Sequence, residues 1–165
     1  MGQAQVTVII SAHRRPLLLD RCLAGVLAES GSGVVQVLVV VHEEDAEGAR
    51  VSTFWMRRDA RVQTAYARRP SRGAARNNAA PLAIGEWLYF LDDDAVVLPG
   101  AFATLQNAIR EHPGARAIGG PNLLPEDSEA FEIAVEAAVG EWPLRACNLA
   151  VEKAAFFEHR SDGRL

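Results

Sequence analysis

Short apolar runs of strand length alternate with segments of helical periodicity along most of this chain. Runs rich in β-branched and aromatic residues predict strands at residues 6–10, 35–41, 62–67, 87–91 and 115–119. Helical spacing predicts helices after Pro16, from 44 to 58, from 73 to 84 and after Pro99-Gly100. A weaker pattern predicts a helix at 131–139 and a strand at 145–151. The alternation predicts one α/β domain with a mostly parallel, Rossmann-like sheet flanked by helices.

Charge and apolar content restrict the class of protein further. The net charge is −4 and the basic clusters are short, which counts against nucleic-acid binding. No apolar run approaches the roughly 20 residues needed to cross a bilayer, and the N-terminus does not resemble a signal peptide. Cys22 lies on the apolar stripe of its predicted helix, which favours a buried free thiol. We therefore expect a cytoplasmic chain, with the inner face of a membrane as a second possible location.

Three consecutive carboxylates, Asp92, Asp93 and Asp94, follow directly on the apolar run 87–91. Open α/β sheets bind ligands at the carboxyl ends of their strands. Adjacent carboxylates repel one another, and a divalent cation would relieve that repulsion. Mg²⁺ and Mn²⁺ prefer oxygen ligands, typically one or two carboxylates together with substrate phosphates. A solvated acidic turn would explain one or two aspartates, but three at the end of an apolar strand predict a Mg²⁺ or Mn²⁺ site.

Two further segments carry polar side chains suited to an anionic ligand. Arg72 and Arg76 lie in the first turns of a predicted small-residue helix, where free amides and the helix dipole attract anions. Their guanidinium groups match phosphate geometry. Such arginines are usually solvated, so their position shortly before the aspartates gives them weight. The second segment is the polar turn after the first strand, at Ala12, His13 and Arg14.

The runs around these residues resemble family 2 glycosyltransferases over nearly the whole chain. VTVIISAHRRPLLLDRCLAGVLAE is similar to the opening strand, polar turn and Leu-rich helix of that family. RGAARNNAAPLAIGEWLYFLDDD resembles its most specific stretch, in which an Arg-Asn pair leads through a Gly-Glu turn to an Asp-x-Asp strand end. GGPNLLPED and CNLAVEKAAFFE resemble the acceptor-side strand and helix.

The resemblance implies a GT-A fold that binds a nucleoside diphosphate sugar with Mg²⁺ or Mn²⁺. It also implies sugar transfer to an acceptor hydroxyl with inversion, the acceptor being a glycan or a lipid-linked glycan by family analogy. By position, Asp94 would be the direct metal ligand, and Asp92 and Asp93 would contact the ribose and the metal shell. Arg76 would contact the nucleotide or its phosphates, and residues 12–14 would line the nucleotide cleft.

Two features depart from the family pattern. An acidic turn that contacts the base usually follows the second strand, whereas this chain has His42, Glu43, Glu44 and Asp45 there; Glu43 is the expected substitute. The carboxylate that serves as general base would be expected beyond Leu165, so no base is identified. We accordingly expect residues 1–120 to form the nucleotide-sugar-binding half and 121–165 part of the acceptor-side half of a single glycosyltransferase domain.

Other functional classes compete with the transferase. A non-catalytic nucleotide-sugar-binding or partner-binding module suits a chain in which no general base is found. A haloacid dehalogenase-like phosphohydrolase loosely fits the Asp-x-Asp at residues 92–94, although that motif normally lies on the first strand. A nicotinamide-binding Rossmann domain is disfavoured because no Gly-x-Gly-x-x-Gly follows the first strand.

Overall fold

The computed structural model describes residues 2–29, 33–68, 71–120 and 148–159. Its strands are β1 (Val6–Ala12), β2 (Val34–His42), β3 (Val62–Ala67), β4 (Trp87–Asp92), β5 (Ala117–Gly119) and β6 (Leu149–Glu152). Its helices are α1 (Pro16–Glu29), α2 (Ala46–Met56), α3 (Arg72–Ala79), α4 (Ala101–Glu111) and α5 (Lys153–His159). The six strands form one sheet of order β3-β2-β1-β4-β6-β5. The first four strands in this order are parallel, and β6 runs antiparallel to both its neighbours, so the mostly parallel sheet is confirmed.

Several element boundaries differ from expectation; for example, the helix expected from 44 to 58 is α2, Ala46–Met56, and the strand expected at 6–10 extends to Ala12. The helix expected from 73 to 84 ends at Ala79 and continues as a 3₁₀ turn, Ala80–Leu82, because Pro81 has no amide to extend the α-helical pattern. The short strand expected at 115–119 is limited to β5. The described part of the strand expected at 145–151 lies in β6, and the helix expected at 131–139 lies outside the described residues. None of the helices in the described ranges has the length and apolarity needed to span a membrane.

Both faces of the sheet are covered by helices. On one face, α1 and α4 pack against β1, β2 and β4 through Leu23, Val26 and Phe102. On the other face, α3 and α5 contribute Ala75, Ala79 and Phe156. The central strand β1 is buried from both sides, which explains its nearly continuous apolar sequence.

Cys22 lies in this core, as the sequence predicts for a free thiol. Its Sγ donates to the main-chain oxygen of Asp92 across 3.7 Å. Burial, with the nearby charges of Asp93 and Asp94, raises the pKa of Cys22 to about 12. The thiol is therefore protonated and unreactive at neutral pH.

A buried polar network fixes the start of β4 against β1. The hydroxyl of Thr7 donates to Gln36 Oε1 across 3.0 Å and accepts from the amide of Gly85 across 2.9 Å. These bonds hold the segment before β4 against the middle of the sheet. They support the register in which Ser11 of β1 pairs with Asp92 of β4. The network near the amino ends of β1 and β4 thus helps to determine which residues meet at the carboxyl ends of these strands.

Candidate functional site

The three aspartates lie at the carboxyl edge of the sheet but in different surroundings. Asp92 is the last residue of β4 and is buried beside Ser11 at the end of β1. Asp93 is completely buried, whereas the side chain of Asp94 is 46% exposed. The cluster therefore presents one accessible carboxylate, with two more beneath the surface.

Arg15 bridges two of these carboxylates. Its Nη2 lies 2.5 Å from Asp93 Oδ1 and its Nη1 lies 2.6 Å from Asp94 Oδ2. Although burial works against the charged guanidinium, the charges of Asp93 and Asp94 raise the pKa of Arg15 above its usual value. Arg15 was not among the site residues expected from the sequence. Its position at the exit of β1, at the same sheet edge as the aspartates, was the available signal.

Arg72 and Arg76 face the remaining carboxylate. Arg72 Nη1 lies 3.5 Å from Asp92 Oδ2, and Arg76 Nη2 lies 3.6 Å from Asp92 Oδ1. The Arg76 guanidinium also lies 5.3 Å from the centre of the Phe90 ring, within the range of a cation–π contact. The N-terminus of α3 therefore brings both expected arginines to the aspartate cluster.

The charge balance of this edge differs from expectation. The sequence suggested that a divalent cation relieves the repulsion among the aspartates. Three arginines face the three aspartates instead, so the formal charges balance without a cation. Charge repulsion alone is therefore no reason for a metal here, and the fit of a metal depends on the donor atoms.

Those donor atoms fit a hard divalent cation. Asp92 Oδ1 and Ser11 Oγ are buried and have no hydrogen-bond partner in the part of the chain that the structure describes. Buried oxygens of this kind usually have a hydrogen-bond partner, so both point to a bound ion or to a bound molecule that donates a hydrogen bond. Within the same ranges, no three His, Cys, Asp or Glu side chains converge as a complete metal site. A cation would thus take part of its ligand set from a bound molecule, as Mg²⁺ commonly does with phosphates.

Asp93 contributes to the shape of the site from below. Its Oδ2 accepts a hydrogen bond from the amide of His13 across 3.0 Å, which ties the loop after β1 to the end of β4. Burial raises the pKa of Asp93, while the His13 amide and the Arg15 charge favour its ionised form. Its described contacts are to the protein, and a contact of Asp93 with the ribose or metal shell stays a prediction.

Asp45 holds the same loop from the other side. Its Oδ2 accepts from the amide of Arg14 across 2.6 Å, and its Oδ1 accepts from the amide of Gly48 across 2.9 Å. Arg14 has a φ of 52°, a left-handed conformation that needs such support in a residue with a side chain. Asp45 was not among the expected site residues. The signal was an aspartate at the start of a predicted helix, and in the structure it is the N-cap of α2.

Replacing Asp45 with alanine is expected to lower the free energy of unfolding by about 2–4 kcal/mol. The change removes the cap of α2 and the charge-assisted bond to the Arg14 amide together. Urea unfolding followed by circular dichroism measures the loss. Glu44→Ala is the matched control, since Glu44 is an exposed neighbour, and it should change stability by about 0.5 kcal/mol or less. Equal effects of the two changes would contradict the role of Asp45 in holding the loop after β1 and capping α2.

The other expected cleft residues lie around the ends of β1 and β2. Ala12 is buried at the end of β1, and the exposed His13 ring meets His42 edge to face at 5.8 Å. His42 Nε2 donates to the Arg68 carbonyl across 3.0 Å, and its Nδ1 accepts from the amide of Glu44 across 3.3 Å. Glu43 is exposed and pairs with Arg68 across 3.3 Å. A contact of Glu43 with a nucleobase stays a prediction.

Comparison with known proteins matches nearly the whole chain to one protein family. The sequence model of a family described as glycosyltransferase-like family 2 matches residues 4–161. Among solved structures, the mannosyltransferase PcManGT from Pyrobaculum calidifontis in complex with GDP-Man and Mn²⁺ is similar, with a TM-score of 0.71 and 18% identity over 98% of this chain and 48% of that chain. A comparison with curated protein sequences gives no significant match.

Two bacterial structures give the same result. S. aureus TarS 1-349 has a TM-score of 0.69 and 15% identity over 93% of this chain and 48% of its own; it is also solved in complex with UDP-GlcNAc. M. tuberculosis glucosyl-3-phosphoglycerate synthase has a TM-score of 0.66 and 12% identity over 92% of this chain and 58% of its own. These likenesses confirm the expected GT-A fold. The chain spans about half the length of these solved structures.

Proposed function

Because the chain belongs to glycosyltransferase-like family 2, we propose that it binds a nucleoside diphosphate sugar and takes part in transferring the sugar to an acceptor hydroxyl. One observation carries this proposal beyond the family match. At the carboxyl edge of a GT-A sheet, Asp92 lies beside Arg72 and Arg76, and the exposed carboxylate of Asp94 follows two residues later, so oxygen ligands for a cation lie close to guanidinium groups for a diphosphate. Inversion at the transferred carbon, and a glycan or lipid-linked acceptor, are proposed from the family resemblance.

Arg72 and Arg76 are the proposed diphosphate ligands. The side chain of Arg76 is 13% exposed and packs near Phe90, so little side-chain freedom remains to be lost when it binds a phosphate. Arg72 is 65% exposed and can reorient toward a ligand in the cleft. Both would stabilise the negative charge that develops on the departing diphosphate, where positioned cations act most strongly.

Asp94 and Asp92 are the proposed ligands of Mg²⁺ or Mn²⁺. When bound, such a cation would supply a Lewis acid toward the diphosphate oxygens. The accessible carboxylate of Asp94 and the unsatisfied Asp92 Oδ1 support this assignment. The similar mannosyltransferase is described with GDP-Man and Mn²⁺, which supports metal use on this fold.

The nucleoside is proposed to lie over the loop after β1, along residues 12–14, with Glu43 on its far side. Asp93 and Asp45 fix two successive amides of that loop, so the surface offered to the nucleoside is preorganised. We propose Asp93 for the ribose side of the cleft as well. Preorganisation of this kind lowers the entropy lost when the donor binds.

The division of labour along the chain is also a proposal. Residues 1–120 would bind the donor, and 121–165 would belong to the acceptor side, although β6 from this second part lies next to β4 in the sheet. No general base is assigned. The protonated, buried Cys22 is compatible with the proposed cytoplasmic location, at or near the inner face of a membrane.

The proposal is tested by calorimetric titration with UDP, GDP, CDP and dTDP, each with Mn²⁺, with Mg²⁺ and with chelator. We expect one nucleotide to bind selectively, and the metal to tighten its binding about tenfold or more, in the usual range for two coupled ligands. Absence of binding by all four nucleotides would contradict the proposal. Selective binding without sugar transfer to any acceptor would favour the non-catalytic module, whereas a phosphoenzyme at Asp92 would favour the phosphohydrolase.

A further inference from the structure

Among the described residues, Arg15 makes the shortest ion pairs with the aspartate cluster, yet it is not one of the proposed donor ligands. Building on the function proposed above, we propose that Arg15 is a resident counter-ion that keeps the divalent cation out until a nucleoside diphosphate arrives. In the described structure, the guanidinium lies against the carboxylate that would bind the cation. Entry of the cation would therefore require Arg15 to leave Asp94.

The two contacts of Arg15 are not equivalent. Asp93 is completely buried and fixed by the His13 amide, so the guanidinium of Arg15 is held at 2.5 Å to an immobile carboxylate. Asp94 is 46% exposed, and its bond to Arg15 at 2.6 Å lies at the surface. The contact with Asp93 is therefore the anchor, and the contact with Asp94 is the one that can exchange.

The backbone leaves the side chain as the moving part. The carbonyl of Arg15 accepts from the amide of Leu19 across 3.0 Å, in the first turn of α1, and Pro16 fixes the next φ. The guanidinium is 38% exposed and has room to swing toward the cleft. Exchange therefore needs side-chain rotation and no change in the fold.

Electrostatics make this exchange depend on the nucleotide. A divalent cation at Asp94 would be repelled by the Arg15 charge beside it, so the cation alone should bind weakly. A diphosphate favours cation binding in two ways. It offers the guanidinium a bidentate anionic partner, which draws the Arg15 charge away from Asp94, and it supplies oxygen ligands to the cation. The nucleotide and the cation should therefore each raise the affinity of the other by the same factor.

Neighbouring arginines in the described ranges do not share this position. Arg21 Nη2 lies 3.5 Å from the main-chain oxygen of Asp94, and its contact is not with the carboxylate. Arg72 and Arg76 face Asp92 at 3.5 and 3.6 Å, whereas Arg15 lies 2.6 Å from Asp94. Arg21→Gln is thus a matched control, since it removes the same charge from the same region.

The test is direct titration of Mn²⁺, with free Mn²⁺ read by electron paramagnetic resonance, without nucleotide and with saturating UDP, GDP, CDP or dTDP. For the wild type we expect weak Mn²⁺ binding that the effective nucleotide strengthens about tenfold or more. Arg15→Gln should tighten Mn²⁺ binding in the absence of nucleotide about tenfold and reduce the nucleotide effect to the part that comes from the diphosphate oxygens as cation ligands. Arg21→Gln should behave like the wild type.

Arg15→Lys distinguishes the charge of Arg15 from the shape of its side chain, because lysine retains the charge but lacks the planar guanidinium with its paired N–H donors. It should keep Mn²⁺ binding weak in the absence of nucleotide, and behaviour like that of Arg15→Gln would overturn the counter-ion role. If the wild type shows nucleotide-dependent Mn²⁺ binding and Arg15→Gln leaves it unchanged, this inference falls while the proposed function stands. If the wild type binds Mn²⁺ with none of UDP, GDP, CDP and dTDP, both fall.

Discussion

Replacing Gly85 with alanine is expected to destabilise the fold by about 3 kcal/mol, at the upper end of typical overpacking effects. A Cβ at this position would lie 2.6 Å from the amide nitrogen of Thr7 and 2.8 Å from the carbonyl oxygen of Gln5. These are backbone atoms, and those of Thr7 belong to β1, which is paired on both sides and buried on both faces. The strand cannot move aside without disturbing both strand pairings or the hydrogen bond that the Gly85 amide donates to the Thr7 hydroxyl.

Urea unfolding of the Gly85→Ala and Gly114→Ala variants checks this prediction. A Cβ at Gly114 would meet no atom within 4 Å, so that variant should change the free energy of unfolding by about 0.5 kcal/mol or less. Both variants make the same chemical change in the unfolded chain, so their difference reports the close approach of Gly85 to β1. Equal stabilities would mean that this approach is looser than described.

Asp94→Ala is expected to weaken metal-dependent nucleotide binding about 100-fold or more, because loss of a direct ligand should cost at least as much as loss of a supporting residue. The fold should be retained, since the side chain is 46% exposed and its ion pair with Arg15 is partly solvated. Calorimetric titration of the nucleotide with Mn²⁺ measures the loss, and circular dichroism checks the fold. Binding in the presence of chelator should change much less.

Glu47→Ala provides the control for Asp94→Ala. Glu47 is a surface carboxylate that also pairs with an arginine, Arg50, but it belongs to the first turn of α2 and not to the aspartate cluster that follows β4. This change should leave nucleotide binding at the wild-type level in every condition. Unaltered metal-dependent binding in Asp94→Ala would remove Asp94 from the proposed metal site, whatever the behaviour of Glu47→Ala.

Local patterns in the sequence were sufficient to predict a mostly parallel α/β sheet and the edge of it where the candidate site lies, whereas the GT-A fold was expected from the family resemblance. A buried parallel strand has an apolar sequence that ends where the strand ends, so the run before Asp92 marked both β4 and its carboxyl edge. The small-residue helix after Ser71 likewise marked where Arg72 and Arg76 would lie. These features depend on residues close together in the chain, which is why sequence periodicity could reveal them.

The partners of individual polar side chains could not be predicted in this way. Arg15 meets Asp93 and Asp94, and Asp45 meets the Arg14 amide, across long stretches of chain. Such pairings depend on the strand register and on the exact course of the loop after β1, neither of which is encoded in a local pattern. The expectation that a cation must balance the aspartates was incomplete for this reason.

The position of β6 has a consequence for synthesis on the ribosome. Phe90 of β4 pairs with Leu149 of β6, so one edge of β4 must wait for residues near 149 to be translated. Until then β4 would expose unpaired amides and carbonyls beside its apolar side chains, a surface on which nascent chains aggregate. The strand that ends in the aspartates thus has one unpaired edge until residues near 149 are translated.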